Sequence, residues 1–128
     1  MKKAASLILA LVMCLSLCAC GNSRVKKNAA TAPNLDLTAY YSMCLENEAK
    51  AKAEFHGNIY RYTGKVFQIN SNYCVVEQYT KKFGRKTIYV YLDSEDLIKL
   101  SKGEKYTFAG EFKHRSLTPS LSGAVIAE

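Results

Sequence analysis

Between positions 79 and 91 rings and positive charges are interleaved: Tyr79, Lys81, Lys82, Phe83, Arg85, Lys86, Tyr89 and Tyr91. These residue types suit binding better than bond making. Aromatic faces stack on bases or sugars, at about 1–3 kcal/mol per base, while the cations hold an anionic backbone. The same residues also suit a solvated hairpin whose lysines guard an edge strand.

Signals for catalysis are weaker. His56 and His114 are the only imidazoles, and neither stands at metal-ligand spacing from the other or from a cysteine. Asp93, Glu95 and Asp96 lack the glycine and distal glutamate of a calcium loop, and read instead as acids opening a short helix. The chain has no phosphate-cradling glycine loop, no nucleophile elbow and no carboxylate pair in an arguably apolar setting. The expectation is a protein without metal or cofactor, and not an enzyme.

The elements that must position the basic aromatic stretch follow from periodicity. Ile59 to Ile69 reads as a long first strand, with Tyr60, Tyr62 and Val66 on one face. Gly64 is the expected bulge, after which Val66 and Ile69 both turn inward. Tyr73 to Thr80 and Thr87 to Leu92 alternate and flank the polar hairpin Lys81 to Lys86. A short helix with acids at its start and Lys99 and Lys102 towards its end follows, stopped by Gly103. Tyr106 to Lys113, kinked at Gly110, and Leu121 to Ala127 complete the strands. Ahead of them, Leu37 to Phe55 contains no Gly or Pro and reads as one helix, with Leu37, Tyr41, Cys44, Ala51 and Phe55 along a stripe. Three strands, a short helix and two strands is the order of a five-stranded OB-fold barrel. The fold class is therefore mainly β, with an N-terminal helix and a short helix between strands three and four.

The run NEAKAKAEFHG followed by YTGKVFQI, with LIKLSKGEKYTFAGEF later, resembles the tRNA_anti-like OB-fold family of bacterial exported proteins. The resemblance covers Leu37 to Ala127 and implies the barrel. It also implies an inferred link to nucleic acid, and it carries over no catalytic residue.

Five cysteines are present. Residues 1–19 read as a signal peptide: Lys2 and Lys3, an apolar run from Ala4 to Leu17, then small residues. That run is short of the roughly 20 apolar residues of a transmembrane span. Leu17-Cys18-Ala19-Cys20-Gly21 resembles the bacterial lipobox, which implies diacylglycerol on Cys20 and cleavage just before it. Residues 20–34 then form the lipidated anchor and a flexible tether, short on apolar bulk. Residues 35–128 form the OB-fold domain with its N-terminal helix. Cys14 and Cys18 leave with the leader. Cys44 and Cys74 remain, either as two buried thiols or as a disulfide closing a loop of about 30 residues, for which the chain-entropy model gives roughly 3–4 kcal/mol.

Formal charge over the whole chain is +7. Without the leader and the three cations of the tether, thirteen basic residues face eleven acidic ones. So small an excess is a weak electrostatic case for a polyanion partner. The sequence thus supports a lipoprotein on the cell membrane, facing out of the cytoplasm, whose OB-fold binds an envelope or extracellular protein or polymer. The alternative is binding of single-stranded nucleic acid or another polyanion through the basic aromatic hairpin. An outward address argues against tRNA itself.

Overall fold

The computed structural model describes residues 21–115 and 118–127. The expected leader, residues 1–19, and the expected lipid-bearing Cys20 lie outside them. Alternation through the middle of the chain yields five strands: β1 (Ile59–Ile69), β2 (Tyr73–Thr80), β3 (Gly84–Leu92), β4 (Lys105–Lys113) and β5 (Ser120–Ile126). They close in the order β1-β2-β3-β5-β4, with β4 returning to β1. Every pairing is antiparallel except β3 with β5. This is the five-stranded OB-fold barrel expected from the order of elements, with the short helix Ser94–Ile98 between β3 and β4.

Inward residues of all five strands form the core. Val66, Cys74, Val76, Ile88, Val90, Phe108, Phe112 and Leu121 have no exposed surface. β1 is long because it serves two neighbours, pairing with β4 from Ile59 to Lys65 and with β2 from Lys65 to Ile69. Its bulge falls between Val66 and Gln68 rather than at Gly64. The extra residue leaves Phe67 54% exposed and turns Ile69 back onto the core, so the expected change of phase occurs three residues later than expected. Gly64 serves another purpose: a Cβ there would lie 2.6 Å from the backbone oxygen of Glu77 and 2.6 Å from Cγ1 of Val76. β4 bends at Gly110 as expected, its register against β5 shifting between Ala109 and Glu111.

The single helix expected from Leu37 to Phe55 is two. Numbering the helices of the described residues in chain order, α1 is Gly21–Asn28, α2 is Leu37–Glu46, α3 is Glu48–Phe55 and α4 is Ser94–Ile98. Asn47 sits between α2 and α3 in extended conformation (φ −161°, ψ 99°). Its N–H donates to Met43 O, closing α2, and its side-chain oxygen accepts from Lys50 N, opening α3. A short amide side chain competes for backbone partners in this way, which is why Asn prefers caps to helix interiors. Asp36 caps α2 by accepting from Ala39 N. With the break, Tyr40 rather than Tyr41 is the fully buried tyrosine, packing edge-on to Phe112 at 4.9 Å and to Phe55 at 5.3 Å. The helix pair rests on the barrel through these rings.

The expected flexible tether is also corrected. α1 lies against β4 and β5, with Val25 only 1% exposed among Ala109 and Val125. Arg24 Nη2 donates to Gly57 O at 3.1 Å, and Nη1 reaches Glu111 Oε1 at 3.5 Å. Beyond α1, Arg61 donates from its backbone to Pro33 O and from Nη1 to Ala30 O at 3.3 Å. Val25 and two arginines, Arg24 of the segment and Arg61 of β1, thus dock a segment whose polar composition signals a free spacer.

Candidate functional site

Period two divides the basic aromatic stretch between two faces. Along the hairpin Tyr73 pairs with Tyr91, Val75 with Tyr89, Glu77 with Thr87 and Tyr79 with Arg85. The residues between them, Cys74, Val76, Ile88 and Val90, are buried in the core, so these four pairs line the outside of the barrel. Lys86 belongs to the opposite set, across from Gln78. It turns towards α2, where its Nζ stands 5.0 Å above the Tyr41 ring. Lys82 Nζ donates to Ser42 Oγ at 3.2 Å, and the Phe83 ring lies 5.8 Å from that of Tyr41. The turn is fixed by Thr80, whose hydroxyl accepts from Phe83 N and donates to Gly84 O.

Of the eight expected binding residues, then, Tyr79, Arg85, Tyr89 and Tyr91 share the outer face. Lys82, Phe83 and Lys86 hold the hairpin to α2, and Lys81 is exposed at the turn between the two groups.

The outer face has two parts. Nearer the turn is a groove of about 540 Å³ lined by Thr63 and Lys65 of β1, Glu77 and Tyr79 of β2, Arg85 of β3 and Lys105 of β4. Tyr79 is 72% exposed, its ring free to stack. Lys65 is central, paired in register with Glu77 on one side and Lys105 on the other. Among the described residues no carboxylate lies within 4.0 Å of the Lys65, Lys105 or Arg85 cations. Like charges directly across a strand pair are mildly destabilising, so this juxtaposition does not serve the barrel's own stability.

Farther along β2 is a tyrosine platform. Tyr73 stacks on Tyr89 at 5.1 Å with an interplanar angle of 24°, and lies 5.4 Å from Tyr91. Six residues of strand separate Tyr73 from Tyr79, about 20 Å at the usual rise. Sequence reasoning missed Tyr73, although its even spacing from Tyr79 within one alternating strand was a usable signal. It also missed Lys65 and Lys105, which join the site only through pairing of distant strands.

The strongly shifted titrating groups lie elsewhere, in the core. Burial pushes the Tyr40 and Tyr62 phenols well above their ordinary value, with the Cys44 thiol adding to the effect at Tyr40. Tyr40 Oη lies 2.6 Å from His114 Nδ1, whose Nε2 lies 3.1 Å from Glu48 Oε1; the His114 backbone N–H donates to His56 Nδ1. Both imidazoles therefore tie α2 and α3 to the end of β4. Among the described residues no group of three or more His, Cys, Asp or Glu side chains is arranged to hold a metal ion.

Of the two alternatives the sequence left open for Cys44 and Cys74, the structure has two free thiols rather than a disulfide, with only Cys74 fully buried. Cys74 faces inward from β2, opposite Val90, and burial pushes its thiol up to about 11. Cys44 is half-exposed in a cleft with Leu45, Phe83 and Lys86. Thiolates, not thiols, react. Differential alkylation of the folded chain followed by peptide mass mapping is expected to label Cys44 within minutes and Cys74 only after denaturation. A linked Cys44–Cys74 peptide, or equal labelling of both, would contradict this assignment.

No family model matches the chain, and no curated protein matches it. Among solved structures it is similar to the crystal structure of a presumed nucleic acid-binding lipoprotein from Klebsiella pneumoniae subsp. pneumoniae, with a TM-score of 0.57 and 19% identity. The alignment covers 80% of this chain and 97% of that one. At this identity the likeness is one of fold.

Proposed function

We propose that the chain is an exported, lipid-anchored member of the tRNA_anti-like OB-fold family, and that it binds single-stranded nucleic acid or a similar polyanion along the outer face of β1, β2 and β3. The observation that carries this reading is the groove itself: Lys65, Arg85 and Lys105 converge beside the exposed ring of Tyr79, and among the described residues none of the three is in an ion pair. The rings of Tyr73, Tyr89 and Tyr91 continue the same face, Tyr73 stacked on Tyr89. Cations track a phosphate backbone while rings accept bases of any sequence, and OB-folds use strands two and three for such ligands. The nucleic-acid link in the name of the Klebsiella lipoprotein points the same way. In this reading the anchor is the lipid on Cys20, and the module binds without a catalytic step.

A second reading, recognition of a protein or envelope polymer, draws on a different place. Leu45 is 76% exposed beside Tyr41 and Phe83, in a cleft of about 290 Å³ next to α2. One exposed leucine is a small part of the roughly 800 Å² per partner of a standard protein interface.

The test is an anisotropy titration of labelled 12-nucleotide DNA and RNA strands at 50 and 200 mM salt. Three neutralised phosphates give a log–log slope near −2 for single strands, so binding is expected to weaken roughly 15- to 20-fold across that range. The triple variant Lys65→Ala, Arg85→Ala, Lys105→Ala is expected to lose affinity by about 100-fold, whereas Lys82→Ala changes it little, its ammonium being engaged with Ser42. Binding that ignores salt, or a triple variant that binds like the parent, counts against the reading.

A further inference from the structure

We infer that Glu77 makes the groove selective among bases, favouring those with exocyclic amino groups, cytosine first, over thymine and uracil. The inference rests on the nucleic-acid reading above and concerns the same site.

Glu77 stands in the middle of the outer face of β2. Lys65 lies across from it on β1, Thr87 across from it on β3, and Tyr79 two residues along on the same side. It lines the groove together with Arg85 and Lys105. A carboxylate lining the same groove as three cations works against simple phosphate binding, because it cancels part of their field and repels the backbone. It does nothing evident for the fold either. Among the described residues its side chain has no hydrogen bond and no ion pair, although Lys65 is its register partner.

An ionised carboxylate is acceptor-only and needs N–H donors. A strand whose phosphates lie along Lys65, Lys105 and Arg85, with one base stacked on Tyr79, brings the edge of that base to Glu77. Bases differ in what they offer there. Cytosine presents its N4 amino group, the usual partner of Glu and Asp, and adenine and guanine also carry amino groups. Thymine and uracil have none, only a single imino N–H. Unstacked bases in single strands expose these edges fully. The carboxylate therefore reads the base while the cations hold the chain, and the cost in phosphate affinity is what selectivity requires.

The experiment uses the full chain in detergent micelles and two labelled oligomers, twelve deoxycytidines and twelve thymidines, at one salt concentration. The parent is expected to bind the cytosine strand about 10-fold more tightly, within the range of a good base contact. In Glu77→Ala the ratio falls to near one, while affinity for the thymine strand holds or rises because a repulsive charge has gone. An unchanged melting curve for Glu77→Ala shows that the barrel is intact. Equal affinities in the parent, or a cytosine preference that survives in Glu77→Ala, overturn the role of Glu77 and leave the nucleic-acid reading standing. Failure of the parent to bind either strand overturns that reading and the selectivity with it.

Discussion

Alanine at position 64 is expected to lower the melting temperature of the barrel by roughly 10–20 °C, from a loss of about 2–3 kcal/mol. The cause is one carbon atom. β1 crosses from β4 to β2 at this point, and the added Cβ would meet the Glu77 carbonyl and the Val76 methyl at 2.6 Å each. The methyl can rotate away, but the carbonyl belongs to the β2 backbone and moves only with its strand. Close-packed interiors pass such displacement on rather than absorbing it. A total stability of 5–15 kcal/mol makes the loss a large fraction of what holds the domain folded. Thermal unfolding followed by circular dichroism measures it, with the neighbouring Lys65→Ala, an outward change, expected to melt within a few degrees of the parent. A Gly64→Ala melt equally close to the parent would mean that β1 and β2 separate here at little cost.

Truncation of Phe112 to alanine is expected to cost more, roughly 3–5 kcal/mol, or about 15–30 °C in melting temperature. Phe112 is fully buried at the centre of a cluster in which Tyr40, Phe55 and Tyr60 lie 4.9, 5.9 and 6.0 Å from its ring. Two of these partners belong to α2 and α3, so the ring joins the helix pair to the barrel as well as filling space. The loss should therefore be uneven. Hydrogen exchange is expected to speed up first in residues 37–55, before the strands lose protection. Phe112→Leu, which keeps most of the volume, should lose no more than about 1.5 kcal/mol. Equal damage from alanine and leucine would show that ring shape, not filled volume, is what matters at this position.

What was legible in the sequence was whatever repeats locally. The bounds of β2 were read to the residue, because eight consecutive positions between polar turns are rich in branched and aromatic side chains. Gly110 as the bend of β4 was legible for a related reason, a glycine inside an alternating run. The bend of β1 was assigned by the same rule and misplaced. Gly64 is there to let two backbones approach, and the bulge needs no glycine at Phe67. The break at Asn47 carries no Gly or Pro to announce it, only an amide that caps in both directions. α1 went unread because its single apolar anchor, Val25, gives no periodic signal.

For the site, parity was available and was not applied. Arg85 and Lys86 are adjacent in one strand, so they cannot share a face, and only one can belong to the groove. The contribution of Lys65 and Lys105 was not available from local pattern, since it depends on how β1 registers against β2 and β4. The disulfide was a matter of position in space: a cysteine facing the core and one in a surface cleft can be thirty residues apart in sequence and still have no reason to meet.

The parallel pairing of β3 with β5 carries a consequence for how the molecule comes to exist. Ser120–Ile126 is the last strand in chain order, and it alone bridges β3 to β4. A chain leaving a ribosome or a translocation pore with its N-terminus first has four strands in hand before this latch emerges, and they can form only an open sheet with two bare edges. Contacts between residues as distant as Tyr89 and Ser120 are slow to form, and exposed edges recruit other chains meanwhile. Until that seven-residue strand pairs, the edges of β3 and β4 stay open to other chains, and closing them is the step that ends the exposure.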